Sequence, residues 1–223
     1  MSPPPGLAPS VKICGLCRAE DAAEAAAAGA HYVGVILASG RTRSRDVDAA
    51  AAIYAAAPGL VRVGVFVDAD AATMLAAAER LELNVLQLHG AETLETAADL
   101  RQRGLGVWKA LRPRSGEEFR AGVERWRDAA DALLVDGWSA AAEGGTGTRF
   151  DWDAVAPLRA LVPPTLGLVM AGGLEPGNVA GGIAALRPDI VDVSSGVERA
   201  PGEKDPARVR AFIAAVRGGP PRR

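Results

Sequence analysis

Along the chain, short runs of β-branched or apolar residues alternate with longer Ala-rich stretches of helical character. The runs are VKIC (11–14), YVGVIL (32–37), VRVGVFV (61–67), NVLQLH (84–89), GVWKAL (106–111), ALLVD (132–136), TLGLVM (165–170) and DIVDVSS (189–195). The helical stretches fall at 18–28, 46–57, 70–80, 91–103, 115–129, 151–160, 176–185 and 205–217. Strict alternation implies a parallel sheet joined by right-handed crossovers, and eight such units close into a barrel. The pattern therefore predicts an α/β fold, a single-domain (β/α)8 TIM barrel over residues 11–217. An open doubly wound sheet fits less well, because no G-x-G-x-x-G follows the first run and the units are many and short. The Pro-rich residues 1–10 and the closing GGPPRR (218–223) read as tails that cannot extend either terminal element.

Composition narrows the range of partners. A chain of 223 residues with 49% hydrophobic content can bury one substantial core. Its net charge of -2 supplies no basic field for nucleic acid, so an anionic ligand has to be held by local groups. That favours a small-molecule site. No apolar run approaches the roughly 18 residues of a membrane span, and MSPPPGLAPS lacks the charged and apolar regions of a signal peptide. The expectation is a cytoplasmic protein with no membrane partner, whose two cysteines stay reduced. The Ala-rich outer helices show no apolar seam beyond their barrel-facing stripe, which leaves monomer and homodimer both open.

In such a barrel the functional residues lie at the C-terminal ends of strands and on the loops that follow. The first strand ends in CGLC, with Cys14 and Cys17 three positions apart. A redox pair can also occupy a strand-to-helix junction, but eight successive βα units do not resemble the short mixed sheet that carries that chemistry. A Cys2His2 zinc site would need both His31 and His89, which begin strand 2 and end strand 4 and so fall at opposite ends of the barrel. The remaining readings are a buried apolar cysteine or a single working thiol at Cys14. Asp136 closes strand 6 before Gly137; it is either a turn-former or the carboxyl partner of Cys14 at the barrel mouth.

Glycine turns after strands 7 and 8, at Gly172, Gly173 and Ser194, Ser195, Gly196, stand where barrels commonly bind phosphate through backbone N–H groups. A phosphorylated small molecule is the ligand they predict. RTRSRD (41–46) offers Arg41, Arg43 and Arg45 as a solvated loop or as an anion contact. AAEGGTGTRFDW (141–152) is a connection or a lid over Asp136. Strand alternation turns Lys12 inward with Cys14 and Asp192 inward with Ser194, and strands 1 and 8 are neighbours in a closed barrel. Lys12 and Asp192 are therefore expected to pair beneath Cys14.

VKICGL, RVGVFV, LQLHG, WKALR, LLVDGW, EGGTGTRFDW, AGGLEPGNV, DVSSGVE and APGEKDP follow one another in an order and spacing that resembles the phosphoribosylanthranilate isomerase family of tryptophan biosynthesis. The resemblance runs from about Val11 to Val216. It implies an Amadori rearrangement of N-(5-phosphoribosyl)anthranilate without cofactor or metal. It further implies Cys14 as general base, Asp136 as general acid, and Arg43, with Arg45 as its rival, as a substrate contact. The phosphate would lie on the turns at 172–173 and 194–196. Beside these implied roles, Lys12 and Asp192, placed by strand alternation, and His89, at the end of strand 4, are expected as further substrate-binding residues. For those roles the thiolate fraction of Cys14 has to be enlarged by local positive charge, and the Asp136 carboxyl has to be raised by burial. The chain departs from the family pattern at Cys17, where threonine is usual, and in the loop ASGRTRSRDVD (38–48). The histidine-pathway isomerase resembles a two-aspartate design and lacks a strand 1 cysteine. A non-catalytic phosphate-binding barrel would need neither Cys14 nor Asp136.

Overall fold

A computed structural model describes residues 8–136 and 156–218. Eight parallel strands close into a barrel in sequential order. They are β1 (Ser10–Ile13), β2 (Tyr32–Ile36), β3 (Val61–Phe66), β4 (Val85–Leu88), β5 (Gly106–Leu111), β6 (Ala132–Asp136), β7 (Gly167–Ala171) and β8 (Ile190–Val193). Closure is made by β1 against β8, with Val11 opposite Val191 and Lys12 opposite Asp192. The outer helices are α1 (Ala19–Ala28), α2 (Val47–Ala55), α3 (Ala71–Leu81), α4 (Leu94–Gln102), α5 (Gly116–Trp126), α6 (Val179–Leu186) and α7 (Pro206–Arg217). A short antiparallel pair, β9 (Glu198–Ala200) and β10 (Glu203–Lys204), follows β8.

Alternation along the strands separates two apolar regions. Residues such as Val63, Val85, Trp108, Leu134, Val169 and Ile190 fill the barrel interior. Ile13, Val33, Leu86, Leu133, Leu168 and Val191 face outward and pack beneath the helices. Five of the described helices start at a side-chain cap. Asp46, Asp70, Thr93 and Ser115 accept a hydrogen bond from the amide three residues ahead, and Asp205 caps Ala207 and Arg208.

The strands lie where the hydrophobic pattern puts them, within about two residues, and Ser10 joins β1 by pairing with Ile190 rather than belonging to the tail. Four helices differ from expectation. Of these, α4 begins at Leu94 rather than 91, and α5 ends at Trp126 rather than 129. Over the stretch 151–160 the described part is a 3-10 helix, Ala156–Leu161, not an α-helix. Pro157 brings no amide donor, and Pro163 and Pro164 close the segment from behind. The helix after β7 begins at Val179 rather than 176, because Asn178 first ties a turn: its Oδ1 accepts from Glu175 N and its Nδ2 donates to Gly173 O. The small-residue stretch AAEGGTGTRFDW lies outside the described residues. Among the described residues no helix is long and apolar enough to cross a membrane.

Candidate active site

The C-terminal mouth of the barrel holds a cavity lined by Cys14, Gln87, His89, Asp136, Asp192 and the turns at 171–174 and 193–196. Cys14 is the first residue past β1, and its amide donates to Val193 O at 2.8 Å, which fixes it against β8. Directly below it, the Lys12 ammonium donates to both carboxylate oxygens of Asp192 at 3.1 and 3.0 Å, and both side chains are buried. The inward register expected from alternation thus brings Lys12, Asp192 and Cys14 together. Space for them comes from Gly34 on β2. A Cβ there would stand 3.0 Å from Lys12 Cε and Nζ and 3.1 Å from Cys14 Sγ.

Gly34→Ala is therefore expected to leave the fold intact by circular dichroism while lowering kcat roughly tenfold or more, since a small displacement of a reacting group is costly. An unchanged kcat would show that the Lys12–Cys14 spacing is not critical.

Asp136 closes β6, and its Oδ2 meets His89 Nε2 at 3.2 Å and Arg112 Nε at 3.3 Å. β7 and β8 separate it from Cys14 around the mouth. The protonation states depart from the expectation that Cys14 is eased toward thiolate and Asp136 toward the neutral acid. Burial raises the Cys14 thiol, and the Lys12 charge only partly offsets it. Burial also pushes the Asp136 carboxyl up, but the His89 hydrogen bond and field together with the Arg112 guanidinium outweigh it, and the net shift is downward. At neutral pH the pair rests as thiol and carboxylate.

Lys12 is the main group pulling the thiol down. Lys12→Met removes that pull, so Cys14 titrates higher. If its thiolate is the base, the upper limb of the pH–rate profile moves to higher pH and the plateau falls. Because Asp192 is left buried without its partner, the melting temperature falls as well, and the assay belongs well below it. An unmoved upper limb would detach Lys12 from the thiol's titration.

Arg43 is not part of the cavity wall but is held next to Gly15, beside the turn after β8. Its Nε and Nη2 donate to Glu198 at 2.7 and 2.6 Å, and its side chain lies where a Cβ on Gly15 would stand only 2.8 Å from Cδ. The same Cβ would be 2.7 Å from Ser194 Oγ, so the positive φ of 65° and the crowding at Gly15 both call for glycine. Arg45 instead donates to Cys17 O at 3.0 Å and to Ser44 O, away from Ser194. Gly172 and Gly173 take φ of 83° and 62°, and a Cβ on Gly196 would run into the backbone of Leu174. These glycines bring the turns after β7 and β8 into contact. Below them the buried Lys204 ammonium donates to Ser194 O at 3.0 Å and to Glu198 at 2.9 Å, placing a positive charge under the turn.

The remaining candidates separate. His31 lies at the opposite end of the barrel, where its Nδ1 accepts from Val11 N at 3.1 Å, so it cannot share a metal with His89. Cys17 Sγ lies 3.5 Å from Gly15 O and 3.7 Å from Arg43 O, so its single S–H can donate to one or the other, as a threonine hydroxyl also could. Gln87, Gly34, Glu198 and Lys204 belong to the mouth without being singled out by the motifs above. The alternation rule that pairs Lys12 with Cys14 also pairs Gln87 with His89, and Lys204 lies inside the block APGEKDP.

A closed (β/α)8 barrel whose mouth carries a thiol and a carboxyl beside a glycine-built turn defines an acid/base enzyme of the barrel class. A family model described as N-(5'-phosphoribosyl)anthranilate (PRA) isomerase matches residues 11–215. The N-(5'-phosphoribosyl)anthranilate isomerase of Rubrobacter xylanophilus is 41% identical over 208 residues, covering 93% of this chain and 98% of its own. The crystal structure of phosphoribosyl anthranilate isomerase from Thermotoga maritima superposes with a TM-score of 0.84 at 34% identity, covering 94% of this chain and 99% of that one. A further structure of the isomerase, in complex with reduced 1-(o-carboxyphenylamino)-1-deoxyribulose 5-phosphate, gives 0.82 at 33% identity, with coverage of 94% and 99%. The chain belongs to the N-(5'-phosphoribosyl)anthranilate isomerase family.

Proposed function

We propose that this chain catalyses the Amadori rearrangement of N-(5-phosphoribosyl)anthranilate to 1-(2-carboxyphenylamino)-1-deoxyribulose 5-phosphate, with Asp136 as acid and Cys14 as base. The observation that carries the assignment of roles is the placement of both side chains on one cavity whose wall also includes the turns at 172–173 and 194–196. The phosphate is received by those turns, over the buried charge of Lys204. Arg43, held by Glu198, stands beside Ser194 at the rim and supplies a cation for the anionic substrate.

Protonated Asp136 gives its proton to the furanose ring oxygen as the bond from C1 to that oxygen breaks, and the anthranilate nitrogen supplies the electron pair that forms the iminium. The Cys14 thiolate then removes the proton from C2, leaving an enolamine. Protonation at C1 and loss of the hydroxyl proton at C2 give the ketone. No electron acceptor enters the balance, so the chemistry asks for no cofactor.

The resting thiol and carboxylate hold the same number of protons as the working thiolate and carboxylic acid. A single proton moved from Cys14 to Asp136 converts one pair into the other, without exchange with solvent. Lys12 favours that move from the thiol side. The test is the loss of anthranilate-type fluorescence when purified protein meets phosphoribosylanthranilate; fluorescence that persists at the rate of the buffer control would remove the assignment.

A further inference from the structure

On the β4 side of the mouth, a chain of hydrogen bonds runs from the barrel interior to the carboxyl assigned as acid. Gln87 Nε2 lies 3.0 Å from His89 Nδ1, and His89 Nε2 lies 3.2 Å from Asp136 Oδ2. β5 lies between, and it presents the small Ala110 to the interior, which lets the imidazole span from β4 to β6. Gln87 is 1% exposed, and its Oε1, at the wall of the cavity, is a buried oxygen without a hydrogen-bond partner among the described residues. A buried amide with one satisfied end and one orphaned end is unusual, since such groups are costly to leave unmade. An amide offers a donor at one end and an acceptor at the other, so the end it turns to His89 decides which ring nitrogen carries the proton.

We propose that Gln87 is a positioning residue that sets the tautomer of His89, and through it whether Asp136 is held as carboxylate or as acid. With Nε2 of Gln87 donating to Nδ1, the ring proton sits on His89 Nε2 and is donated to the ionised Asp136. With the amide turned, Oε1 accepts from an Nδ1–H, and His89 Nε2 becomes an acceptor for the proton of neutral Asp136. The first arrangement suits the resting enzyme and the second the working one. Turning the amide also relieves the orphaned oxygen and points the Gln87 amino group at the cavity, where oxygen atoms of a bound sugar can accept from it. The extra proton on Asp136 is the one Cys14 gives up, so the inference rests on the acid and base roles proposed above.

The test reads the tautomer directly. In wild-type protein labelled with 15N-histidine, His89 is expected to be Nε2–H in the free chain. It should convert to Nδ1–H with reduced 1-(o-carboxyphenylamino)-1-deoxyribulose 5-phosphate bound; His31, the other histidine, serves as internal control. Gln87→Met, close in shape but unable to hydrogen-bond through a side-chain amide, is expected to block that conversion. It should lower kcat on the order of tenfold, the size of one lost hydrogen bond, with KM within about twofold. Gln87→Glu accepts permanently from Nδ1–H and is expected to recover both the tautomer and part of kcat. His89 remaining Nε2–H with the analogue bound would overturn the inference while the turnover of wild type stands. So would a Gln87→Met enzyme with wild-type kcat, or a fall in kcat without any change of tautomer. A wild-type chain that neither binds the analogue nor consumes phosphoribosylanthranilate would instead remove the assigned reaction, and this inference with it.

Discussion

Replacing Cys14 with serine is expected to lower kcat by about 10² to 10⁴, the contribution of one positioned base, while KM changes little. The hydroxyl is nearly isosteric with the thiol and keeps the amide contact to Val193, so the turns at 172–173 and 194–196 keep their shape. What is lost is an anion that can be formed, because a serine hydroxyl does not ionise beside Lys12 in the accessible range. The pH dependence adds a sign. In wild type the working form needs Asp136 protonated and Cys14 ionised, and between their two titrations these requirements oppose and cancel, leaving a flat profile. With the thiol gone, only the requirement for protonated Asp136 remains. Since Asp136 titrates below the ordinary carboxylate range, residual activity falls as pH rises through neutrality. Near-wild-type turnover in Cys14→Ser, measured by loss of substrate fluorescence, would remove Cys14 from the chemistry.

The barrel and the positions of its strand ends are legible in the sequence because each strand buries one face on the helices and the other in the interior, and period two leaves little freedom of register. The same rule places Lys12 over Asp192. What alternation does not carry is the balance of fields at the mouth. The carboxyl of Asp136 is depressed by His89 from β4 and Arg112 from the end of β5, neither of them near it in sequence. The thiol of Cys14 is buried so completely that one ammonium does not bring it down. Gly34 was invisible for a related reason: its role is the absence of a side chain beside Lys12 and Cys14, and that becomes meaningful only once β2 is known to lie against β1 with Lys12 opposite Tyr32. Over the described part of the stretch 151–160 the expected α-helix gives way to a 3-10 turn, Ala156–Leu161, for a local reason: Pro157 lies within it and Pro163 and Pro164 follow it.

The complementary change, Asp136→Asn, is expected to cost a similar factor of about 10² to 10⁴ in kcat and to reverse the slope of the residual activity. The amide oxygen can still accept from His89 Nε2 and Arg112 Nε, so the side chain stays in place and substrate binding is largely kept. An amide has no proton to give the ring oxygen at these pH values. The remaining requirement is an ionised Cys14, and because burial holds that thiol above its ordinary range, the thiolate fraction is still growing across neutral pH. Residual activity in Asp136→Asn therefore rises with pH, toward tenfold per unit, while in Cys14→Ser it falls and in wild type it is flat. Exchanging the roles, with thiol as acid and carboxylate as base, gives a different pattern, because both groups then rest in their working states. Each single variant would be flat near neutrality, and Asp136→Asn would lose activity only as Cys14 ionises. Opposite slopes in the two variants thus decide which group gives the proton and which takes it, and two flat profiles would exchange the assignment of Cys14 and Asp136.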